Sequence, residues 1–218
     1  MKKLFPLFLL IFAVAACEQD TYDKGDNIYS YMRADFVEAV VGSDKQVTYV
    51  LTDEDDRLPL TAAYSAKWID RADTVYRAVL YYNYKDQQAE VMNLSRVTTV
   101  SAKPLSQYAN GVKTDPLGLE SIWLSSNKRY LNLSVVIKTG AVDEDAEIHT
   151  LGIVNDTIMV VDNNLRTCQL RLYHSQGDVP QYYSQRVYFS IPLNGLQADS
   201  LHLSVNTYDG IVVKGFRL

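Results

Sequence analysis

The sequence predicts an all-β protein of two domains, and three observations lead to this prediction. Apolar and polar residues alternate along most of the chain, whereas sustained helical periodicity is absent. Short groups of turn-forming residues separate the alternating runs. Residues 103–120 contain two prolines and two glycines and have little periodicity, so they divide the chain into two β-rich blocks. We expect one short helical turn within this dividing segment.

The first block is predicted to contain about five strands. Strands are expected at residues 32–41, 46–52, 57–62, 74–84 and 89–102. The last of these is long and rich in β-branched residues, and we expect it to bend. The acidic run at 53–56 lies between the second and third strands and favours a solvated turn, because acidic residues cap turns and avoid strands.

The second block contains further alternating runs. These lie at residues 130–139, 148–154, 156–161, 167–174, 184–193, 200–208 and 211–218. In the first run Leu131, Leu133 and Val135 share one face and Asn132 and Ser134 the other, which is typical of a half-buried strand in an antiparallel sheet. Many short strands at this spacing predict a sandwich or a barrel.

A hairpin is predicted at the end of the chain. Asp209-Gly210 lies between the last two alternating runs. The dipeptide favours a type I′ turn, because both central residues of that turn need a positive φ.

The first residues have the three parts of a signal peptide. Lys2 and Lys3 precede an apolar run at 4–14, and two alanines follow that run. The apolar run is shorter than the ~20 residues that a membrane-spanning helix needs. We therefore predict that residues 1–16 are a signal peptide that is removed.

The residue after the predicted cleavage point is Cys17. Residues 14–17, Val-Ala-Ala-Cys, resemble the lipobox of bacterial lipoproteins. The resemblance implies a diacylglyceryl group on the sulfur of Cys17 and anchoring through two acyl signals. The alternative is an ordinary signal peptide in which Cys17 is incidental. A lipidated Cys17 leaves Cys168 without a disulfide partner, and Cys168 alternates with Leu170 like a small buried strand residue.

Residues 17–30 form a polar and acidic segment without apolar periodicity. Such a composition predicts a flexible tether between the lipid and the first domain. The acidic residues after Cys17 also resemble a surface-export signal of some Bacteroidetes lipoproteins. Whether the β domains face the periplasm or the cell surface stays open.

The charge balance argues against two kinds of partner. The formal charge of −5 includes Lys2 and Lys3 and no acid of residues 1–16, so the remainder of the chain carries −7. The chain has no basic run. Binding to nucleic acid, or to anionic lipid by charge, is therefore not expected.

No motif for catalysis or metal binding stands out among the titratable residues. His149, His174 and His202 lack the spacing of zinc sites. The acidic runs at 53–56 and 143–145 offer oxygen ligands for Ca²⁺ but lack the glycine and final glutamate of an EF-hand loop. We expect no catalytic residue, no metal and no cofactor. A glycosidase pair of carboxylates across a cleft stays open, because acids are numerous.

Tyrosines supply a candidate binding surface. Tyr81, Tyr82 and Tyr84 lie close together on one predicted strand, and Tyr182 and Tyr183 lie at a loop-to-strand junction. Faces of small β-barrels often bind oligosaccharides or oligonucleotides, and stacking on nucleic acid usually needs a positive groove. The five tyrosines therefore define a candidate surface for a glycan or a protein. The alternative is that they only fill strand and domain-interface positions.

Three short triplets are candidate modification sites. Thr74, Thr157 and Ser200 each follow an aspartate and precede an apolar residue. These triplets resemble the O-glycosylation sites of exported Bacteroidetes proteins. The alternative is structural, because each triplet starts a predicted strand.

The arrangement of a lipobox and two β-rich blocks resembles the NigD-like lipoproteins of the Bacteroidetes. The segments that carry the resemblance are residues 14–17, 34–39, 47–53, 75–82, 129–133 and 202–206. The resemblance implies an N-terminal OB-type barrel at 31–105, a linker at 106–120 and a C-terminal β-sandwich at 121–218. It offers no catalytic residue. The family name comes from a bacteriocin-associated gene cluster, which points to an immunity or envelope role.

These observations lead to three functional hypotheses. The leading hypothesis is a non-enzymatic lipoprotein, anchored to the outer membrane through lipid, that binds a protein or glycan partner. The second is a bacteriocin-immunity or envelope-stress protein. The third is a carbohydrate-active enzyme or an accessory glycan-binding module.

Overall fold

The computed structural model describes residues 32–143, 146–161 and 165–218. The predicted signal peptide, Cys17 and the tether lie outside these residues. The described chain consists of fourteen β-strands and a three-residue 3₁₀ turn, so the predicted all-β class is confirmed. Within these ranges no helix is long and apolar enough to cross a membrane.

The first five strands close into a barrel. They are β1 (Met32–Val41), β2 (Val47–Thr52), β3 (Arg57–Tyr64), β4 (Thr74–Lys85) and β5 (Gln88–Arg96). Their order around the barrel is β1-β2-β3-β5-β4, which is closed by β1 against β4. Alternation turns Val37, Ala39 and Val41 of β1 inward, where they meet Ala78 and Leu80 of β4, and each is at most 3% exposed. The predicted OB-like barrel is confirmed.

The remaining strands form a two-sheet sandwich. They are β6 (Thr98–Thr99), β7 (Ala102–Pro104), β8 (Gly118–Leu124), β9 (Tyr130–Thr139), β10 (Thr150–Val161), β11 (Leu165–Ser175), β12 (Tyr183–Pro192), β13 (Ser200–Thr207) and β14 (Gly210–Arg217). One sheet has the order β14-β13-β11-β10-β7 and the other β6-β12-β9-β8. Leu133 and Phe189 of one sheet pack with Leu170 and Leu203 of the other in a shared apolar core. Most pairings are antiparallel, and β6/β12, β7/β10 and β11/β13 are parallel.

The change from barrel to sandwich occurs earlier than the expected boundary at residue 105. The predicted strand at 89–102 ends as β5 at Arg96, and the buried Val97 donates its backbone N–H to the carbonyl of Arg77. Immediately afterwards β6 pairs with β12, and β7 pairs with β10. Residues 98–104 are therefore part of the sandwich sheets, a long-range pairing that their local alternation does not reveal.

The segment expected to be a linker at 106–120 is partly structured. The expected helical turn is present at Leu105–Gln107. Strand β8 begins at Gly118, inside the expected linker, and its register shifts between Leu119 and Ser121. That bulge interrupts the two-residue periodicity, which is why the strand was not predicted.

Two features of the hairpins differ from expectation. The predicted strands at 148–154 and 156–161 are one strand, β10, with a bulge between Asn155 and Thr157. The hairpin between β13 and β14 is confirmed, but its turn is not type I′. Gly210 has a φ of 113°, whereas Asp209 does not adopt a positive φ. Gly210 pairs with Thr207, so it follows the two central residues of the turn, and only this residue has a positive φ.

Candidate binding cleft between the barrel and the sandwich

The outer face of the barrel packs against the outer face of the four-stranded sheet. On β4, Ala78 points into the barrel, so its neighbours Arg77 and Val79 point outward. On β9, Leu133 points into the sandwich core, so Asn132 and Ser134 point away from it. These outward residues are nevertheless buried, because each domain covers the other.

Arg77 lies at the centre of this interface. Its guanidinium donates to both carboxylate oxygens of Asp53, with N–O distances of 2.7 and 2.8 Å. It also donates to Asn132 Oδ1 at 3.2 Å and to Ser190 Oγ at 3.4 Å. The Arg77 side chain is 1% exposed. Its charge and its donors are thus matched by residues of both domains, as a buried ion requires.

Aromatic rings cover the same guanidinium. The guanidinium carbon lies 4.2 Å from the ring centroid of Tyr130 and 5.4 Å from that of Phe36. The hydroxyl of Tyr130 donates to Glu38 Oε1 at 2.7 Å. Burial, and then the hydrogen bond to Glu38, raise the pKa of Tyr130 to about 12. Tyr130 of the sandwich therefore contacts two residues of the barrel, and its phenol stays protonated at neutral pH.

The acidic run at 53–56 is not the simple solvated turn that the sequence predicts. Asp53 is 9% exposed because it pairs with Arg77, and its backbone carbonyl accepts the N–H of Asn127 at 2.8 Å. Glu54 accepts the hydroxyl of Ser126 at 3.0 Å, and Asp55 accepts Asn127 Nδ2 at 3.1 Å. The turn therefore docks on the turn between β8 and β9. Nothing in the local sequence distinguishes Asp53 from the acids beside it.

A cleft of about 430 Å³ opens beside this interface. Its lining comes from β1, β4 and the acidic turn of the barrel, and from β8, β12 and the turn after β8 of the sandwich. The lining residues are Ala34, Asp35, Phe36, Asp53, Glu54, Val79, Tyr81, Ser121, Trp123, Leu124, Ser125, Ser126 and Tyr188. The lining thus includes four aromatic residues, three acidic residues and three serines.

Three of the rings in the cleft form a fixed cluster. The ring centroid of Phe36 lies 5.2 Å from that of Trp123 and 5.8 Å from that of Tyr188, and both contacts are edge-to-face. Such contacts fix ring orientation. Because Phe36 belongs to the barrel and the other two rings to the sandwich, the cluster also joins the domains.

Asp35 occupies one edge of the cleft and has a partner inside the barrel. The hydroxyl of Tyr82 donates to Asp35 Oδ2 at 2.7 Å. Burial, and then this hydrogen bond, raise the pKa of Tyr82 to about 12. The phenol therefore remains a donor at neutral pH, and it holds the carboxylate in place.

The structure separates the five tyrosines of the predicted surface. Tyr81 lines the cleft, whereas Tyr82 is 3% exposed and packs in the barrel core. Tyr84 is exposed, and the guanidinium of Arg33 lies over its ring at 4.8 Å. Tyr183 begins β12, five residues before the cleft residue Tyr188 on that strand, and Tyr182 immediately precedes it; both are exposed.

The five tyrosines therefore do not form one binding surface, and only one of them reaches the cleft. A strand rises about 3.3 Å per residue, which places the start of β12 far along the sheet from the cleft. The sequence did not single out the other aromatic residues of the cleft. Phe36, Trp123 and Tyr188 meet only through pairing of distant strands, and the outward alternation of Phe36 with Val37 was the one available signal.

The candidate modification residues are found at different positions. Thr74 begins β4 and is half-buried, and Ser200 begins β13 with its hydroxyl 2.8 Å from that of Thr167. Thr157 lies within β10, immediately after the bulge, and is exposed. Thr157 is therefore the most accessible of the three hydroxyls.

Two of the histidines form a stacked pair at the far end of the sandwich. His149 Nδ1 lies 3.2 Å from His174 Nε2, and the other nitrogen of each ring lies 2.9 Å from a backbone carbonyl, of Lys138 and Asp115 respectively. Burial lowers the pKa of His174, and the charge of His149 lowers it further. His202 is exposed, as expected.

Among the residues that the structure describes, the one thiol is that of Cys168. Cys168 is fully buried, as predicted, and burial raises the pKa of its thiol. In the part of the chain that the structure describes, no three His, Cys, Asp or Glu side chains converge on a common point as metal ligands would. No histidine or cysteine lines the cleft.

A closed barrel followed by a sandwich, with a cleft where they meet, defines a class of two-domain β proteins. The family model for the NigD-like C-terminal beta sandwich domain matches residues 98–214, which is more than half of the chain. The chain belongs to this NigD-like family. The start of the match at residue 98 coincides with β6, the first sandwich strand.

Solved structures with the same fold come from the Bacteroidetes. A NigD-like immunity protein from Bacteroides caccae has a TM-score of 0.64 and 22% identity, over 85% of this chain and 96% of that one. A protein of unknown function from Bacteroides vulgatus has a TM-score of 0.63 and 14% identity, over 85% and 91%. A candidate lipoprotein from Bacteroides fragilis has a TM-score of 0.59 and 13% identity, over 85% and 96%. No curated protein sequence matches the chain.

Proposed function

We propose that this protein is a non-catalytic, lipid-anchored protein of the cell envelope that binds a protein or glycan partner in the cleft between its two domains. The observation that carries the proposal is the cleft itself. It places four aromatic rings beside carboxylates and hydroxyls, and both of its walls are held by the cluster around Arg77. A concave site with aromatic walls and a few convergent polar groups is a default ligand site in a folded protein.

The chemistry of the cleft supports binding over catalysis. The carboxylate of Asp53 is ion-paired with Arg77. The carboxylates of Glu54 and Asp35 accept hydrogen bonds from the hydroxyls of Ser126 and Tyr82, respectively. A glycosidase needs one carboxylic acid kept protonated and a second carboxylate across the scissile bond. The stacked histidines lie at the other end of the sandwich. There the ring nitrogens that do not face each other contact the backbone carbonyl oxygens of Lys138 and Asp115. We therefore assign no catalytic residue.

The anchoring part of the proposal rests on the sequence before the barrel. Residues 14–17 have the lipobox pattern, and a protein of the same fold from Bacteroides fragilis is described as a lipoprotein. The acidic segment at 17–30 would then hold the cleft away from the membrane. A Cys17→Ser variant should leave the membrane fraction, and a variant that stays membrane-bound would contradict the anchor.

Site-specific photo-crosslinking in growing cells tests the binding proposal. A benzophenone side chain at Tyr81 faces the cleft, and the same group at Tyr182 is a matched control that is exposed but distant. We expect a discrete adduct from position 81 that position 182 does not give. Equal adducts from both positions, or none from position 81, would contradict a partner in the cleft.

Turnover assays separate this proposal from a carbohydrate-active enzyme. We expect no hydrolysis of envelope or host glycans by the intact protein. Hydrolysis that is abolished by Asp35→Asn or Glu54→Gln would make the cleft an active site, and the proposal would be wrong. Both substitutions keep the hydrogen-bond acceptor that Tyr82 or Ser126 uses, so loss of folding would not explain such a result.

Immunity to a bacteriocin is a second candidate function. It is favoured by membership in the NigD-like family and by the description of the Bacteroides caccae protein as an immunity protein. In this case the partner in the cleft would be the toxin or its receptor. Deletion should then sensitise the cell to a toxin made by itself or its neighbours, and Trp123→Ala should have the same effect. Unchanged sensitivity after deletion would remove this candidate.

A further inference from the structure

A second groove, of about 730 Å³, lies where one end of the barrel meets the sandwich. The barrel supplies the loop before β4, the first residues of β4 and the end of β5. The sandwich supplies β6, Tyr130 and the residues at the end of β12. The groove shares no lining residue with the cleft, and a ligand in it would contact both domains.

Positive charge is in excess in this groove. Its charged lining residues are Asp70, Arg71, Arg77 and Arg96. The charge of Arg77 is matched by the buried carboxylate of Asp53. Arg71 and Arg96 are exposed, and within the described residues neither forms an ion pair. The groove therefore sets two cations against the single carboxylate of Asp70, in a chain whose formal charge is −5.

Tyr76 connects these charged residues. The guanidinium carbon of Arg96, the last residue of β5, lies 4.9 Å from the ring centroid of Tyr76. The hydroxyl of Tyr76 donates to the carboxylate of Asp70 and accepts the backbone N–H of Arg71 at 3.2 Å. This hydrogen bond to Asp70, and then the charges of Arg71 and Arg96, lower the pKa of Asp70. Both arginines are therefore arranged around one buried tyrosine, on the same part of the groove.

The sandwich side of the groove carries neutral polar groups. Thr99 and Ser101 flank Val100, which packs against the sandwich core, so their hydroxyls are directed away from that core. Asn194 is exposed after the end of β12 and adds an amide. Hydroxyls and amides both donate and accept hydrogen bonds, as the hydroxyls of a sugar do.

The arginines add a requirement for negative charge. Guanidinium groups bind carboxylate and sulfate oxygens through paired, charge-assisted hydrogen bonds. A neutral sugar would leave the two cations of the groove without a counter-charge. An acidic peptide would supply the charge but few hydroxyls, so it would use less of the groove.

We infer that this groove binds an acidic oligosaccharide, with a carboxylate or sulfate between Arg71 and Arg96 and sugar hydroxyls on Thr99, Ser101 and Asn194. The groove is separate from the cleft, so the inference goes beyond the proposed function and does not rest on it. A ligand here would also bridge the barrel and the sandwich.

The two tryptophans of the chain allow the groove and the cleft to be followed separately. The ring centroid of Trp68 lies 5.6 Å from that of Tyr76, whereas Trp123 lines the cleft. The indole N–H signals of the mature chain, purified in non-ionic detergent, are followed by NMR during titration at constant ionic strength. The probes are a trimer of galacturonic acid, its methyl ester, a sulfated trisaccharide and a hexaglutamate peptide.

We expect the galacturonate trimer or the sulfated trisaccharide to shift the Trp68 signal and to leave the Trp123 signal in place. The stronger of the two identifies the anionic group. The neutral methyl ester should shift neither signal, and hexaglutamate should bind more weakly than the acidic sugars.

Substitutions locate the ligand on the arginines. Arg71→Gln and Arg96→Gln should each weaken the acidic sugar about tenfold, since a charge-assisted contact is lost. Asp70→Asn should strengthen it about threefold, because a like charge near the ligand is removed. Arg57→Gln is the matched control and should leave the affinity unchanged. Arg57 also lies over a tyrosine ring, that of Tyr49 at 4.0 Å, and it is exposed outside the groove.

The other outcomes overturn the inference. Equal binding of the galacturonate trimer and its methyl ester would show that charge is not recognised. An affinity that Arg57→Gln lowers as much as Arg71→Gln and Arg96→Gln would assign the effect to net charge and not to the groove. Tighter binding of hexaglutamate would make the groove a site for an acidic protein segment. If no probe moves the Trp68 signal, the inference fails, and the crosslinking from Tyr81 still decides the proposed function of the cleft.

Discussion

The guanidinium carbon of Arg77 lies 4.2 Å from the ring centroid of Tyr130, so a cation of the barrel is covered by an aromatic ring of the sandwich. The same tyrosine donates its hydroxyl to Glu38 of the barrel. Asn132 and Ser190 of the sandwich add acceptors for Arg77. These contacts hold the two domains together at a buried, charged point, and the cleft lies beside it. The shape of the cleft therefore depends on Arg77, which does not itself line the cleft, although its partners Asp53 and Phe36 do.

Arg77→Met is expected to lower the free energy of unfolding by about 3–5 kcal/mol, because it leaves the Asp53 carboxylate buried without its cation. Arg186→Met is the matched control, since Arg186 pairs with Glu120 at the surface and should cost at most about 1 kcal/mol. Urea denaturation measures both changes. Equal losses in the two variants would contradict the central role of Arg77.

Two tyrosines are expected to titrate well above the others. Tyr82 and Tyr130 have a pKa of about 12, chiefly through burial, against an ordinary value of about 10. The unfolded chain releases these two protons first, so stability should fall as the pH rises from about 10 to about 12. Phenolate absorbance in the ultraviolet, followed as the pH rises, measures the two pKa values. Tyr82→Phe and Tyr130→Phe should each remove one tyrosine that ionises near pH 12. A single transition near pH 10 for every tyrosine would contradict the hydrogen bonds to Asp35 and Glu38.

The stacked histidines are expected to make the protein sensitive to mild acid. In the folded chain His174 is buried and its Nε2 faces Nδ1 of His149, whereas in the unfolded chain the imidazole of His174 is solvated. Because the pKa of His174 is lowered by burial, stability should fall as the pH drops below about 6.5.

Denaturation at a series of pH values measures this acid sensitivity. His174→Gln should flatten the dependence, and His202→Gln, at an exposed position, should not. An unchanged slope in His174→Gln would show that the pair does not cause the sensitivity.

Gly177 is expected to be intolerant of a side chain. Its φ is +60°, and an added Cβ would lie 2.1 Å from the carbonyl oxygen of Glu147. Gly177→Ala should therefore cost more than the roughly 1–3 kcal/mol of backbone strain alone. Gly111→Ala is the control, because Gly111 also has a positive φ but a Cβ added there would meet no atom within 4 Å. Thermal melts that rank the two variants equally would contradict the packing of Gly177 on residue 147.

The parts of the fold that were predictable are those in which alternation is uninterrupted. Strand β1 at Met32–Val41 and strand β9 at Tyr130–Thr139 have the predicted bounds, because each has one apolar face directed to a core. Strand β8 was missed because a bulge breaks its period, and residues 98–104 were assigned to the barrel because their pairing partners are distant in sequence.

The site was much less predictable than the fold. Asp53 has the same local pattern as the acids beside it, and only its ion pair with Arg77 of β4 makes it a buried ion. The cluster of Phe36, Trp123 and Tyr188 comes from three strands of two domains. Single-strand periodicity indicates which face a residue occupies, but it does not indicate which other face will cover it.

The most direct test of the central claim is to fill the cleft and to measure the crosslink from Tyr81. Ala34→Trp places a large side chain in the cleft, and Ala63→Trp places one on an exposed part of β3 outside it. If the partner occupies the cleft, Ala34→Trp should abolish the adduct from position 81, and Ala63→Trp should leave it at the level of the parent protein. An adduct that persists at full strength in Ala34→Trp would contradict the claim that the cleft between the barrel and the sandwich is the binding site.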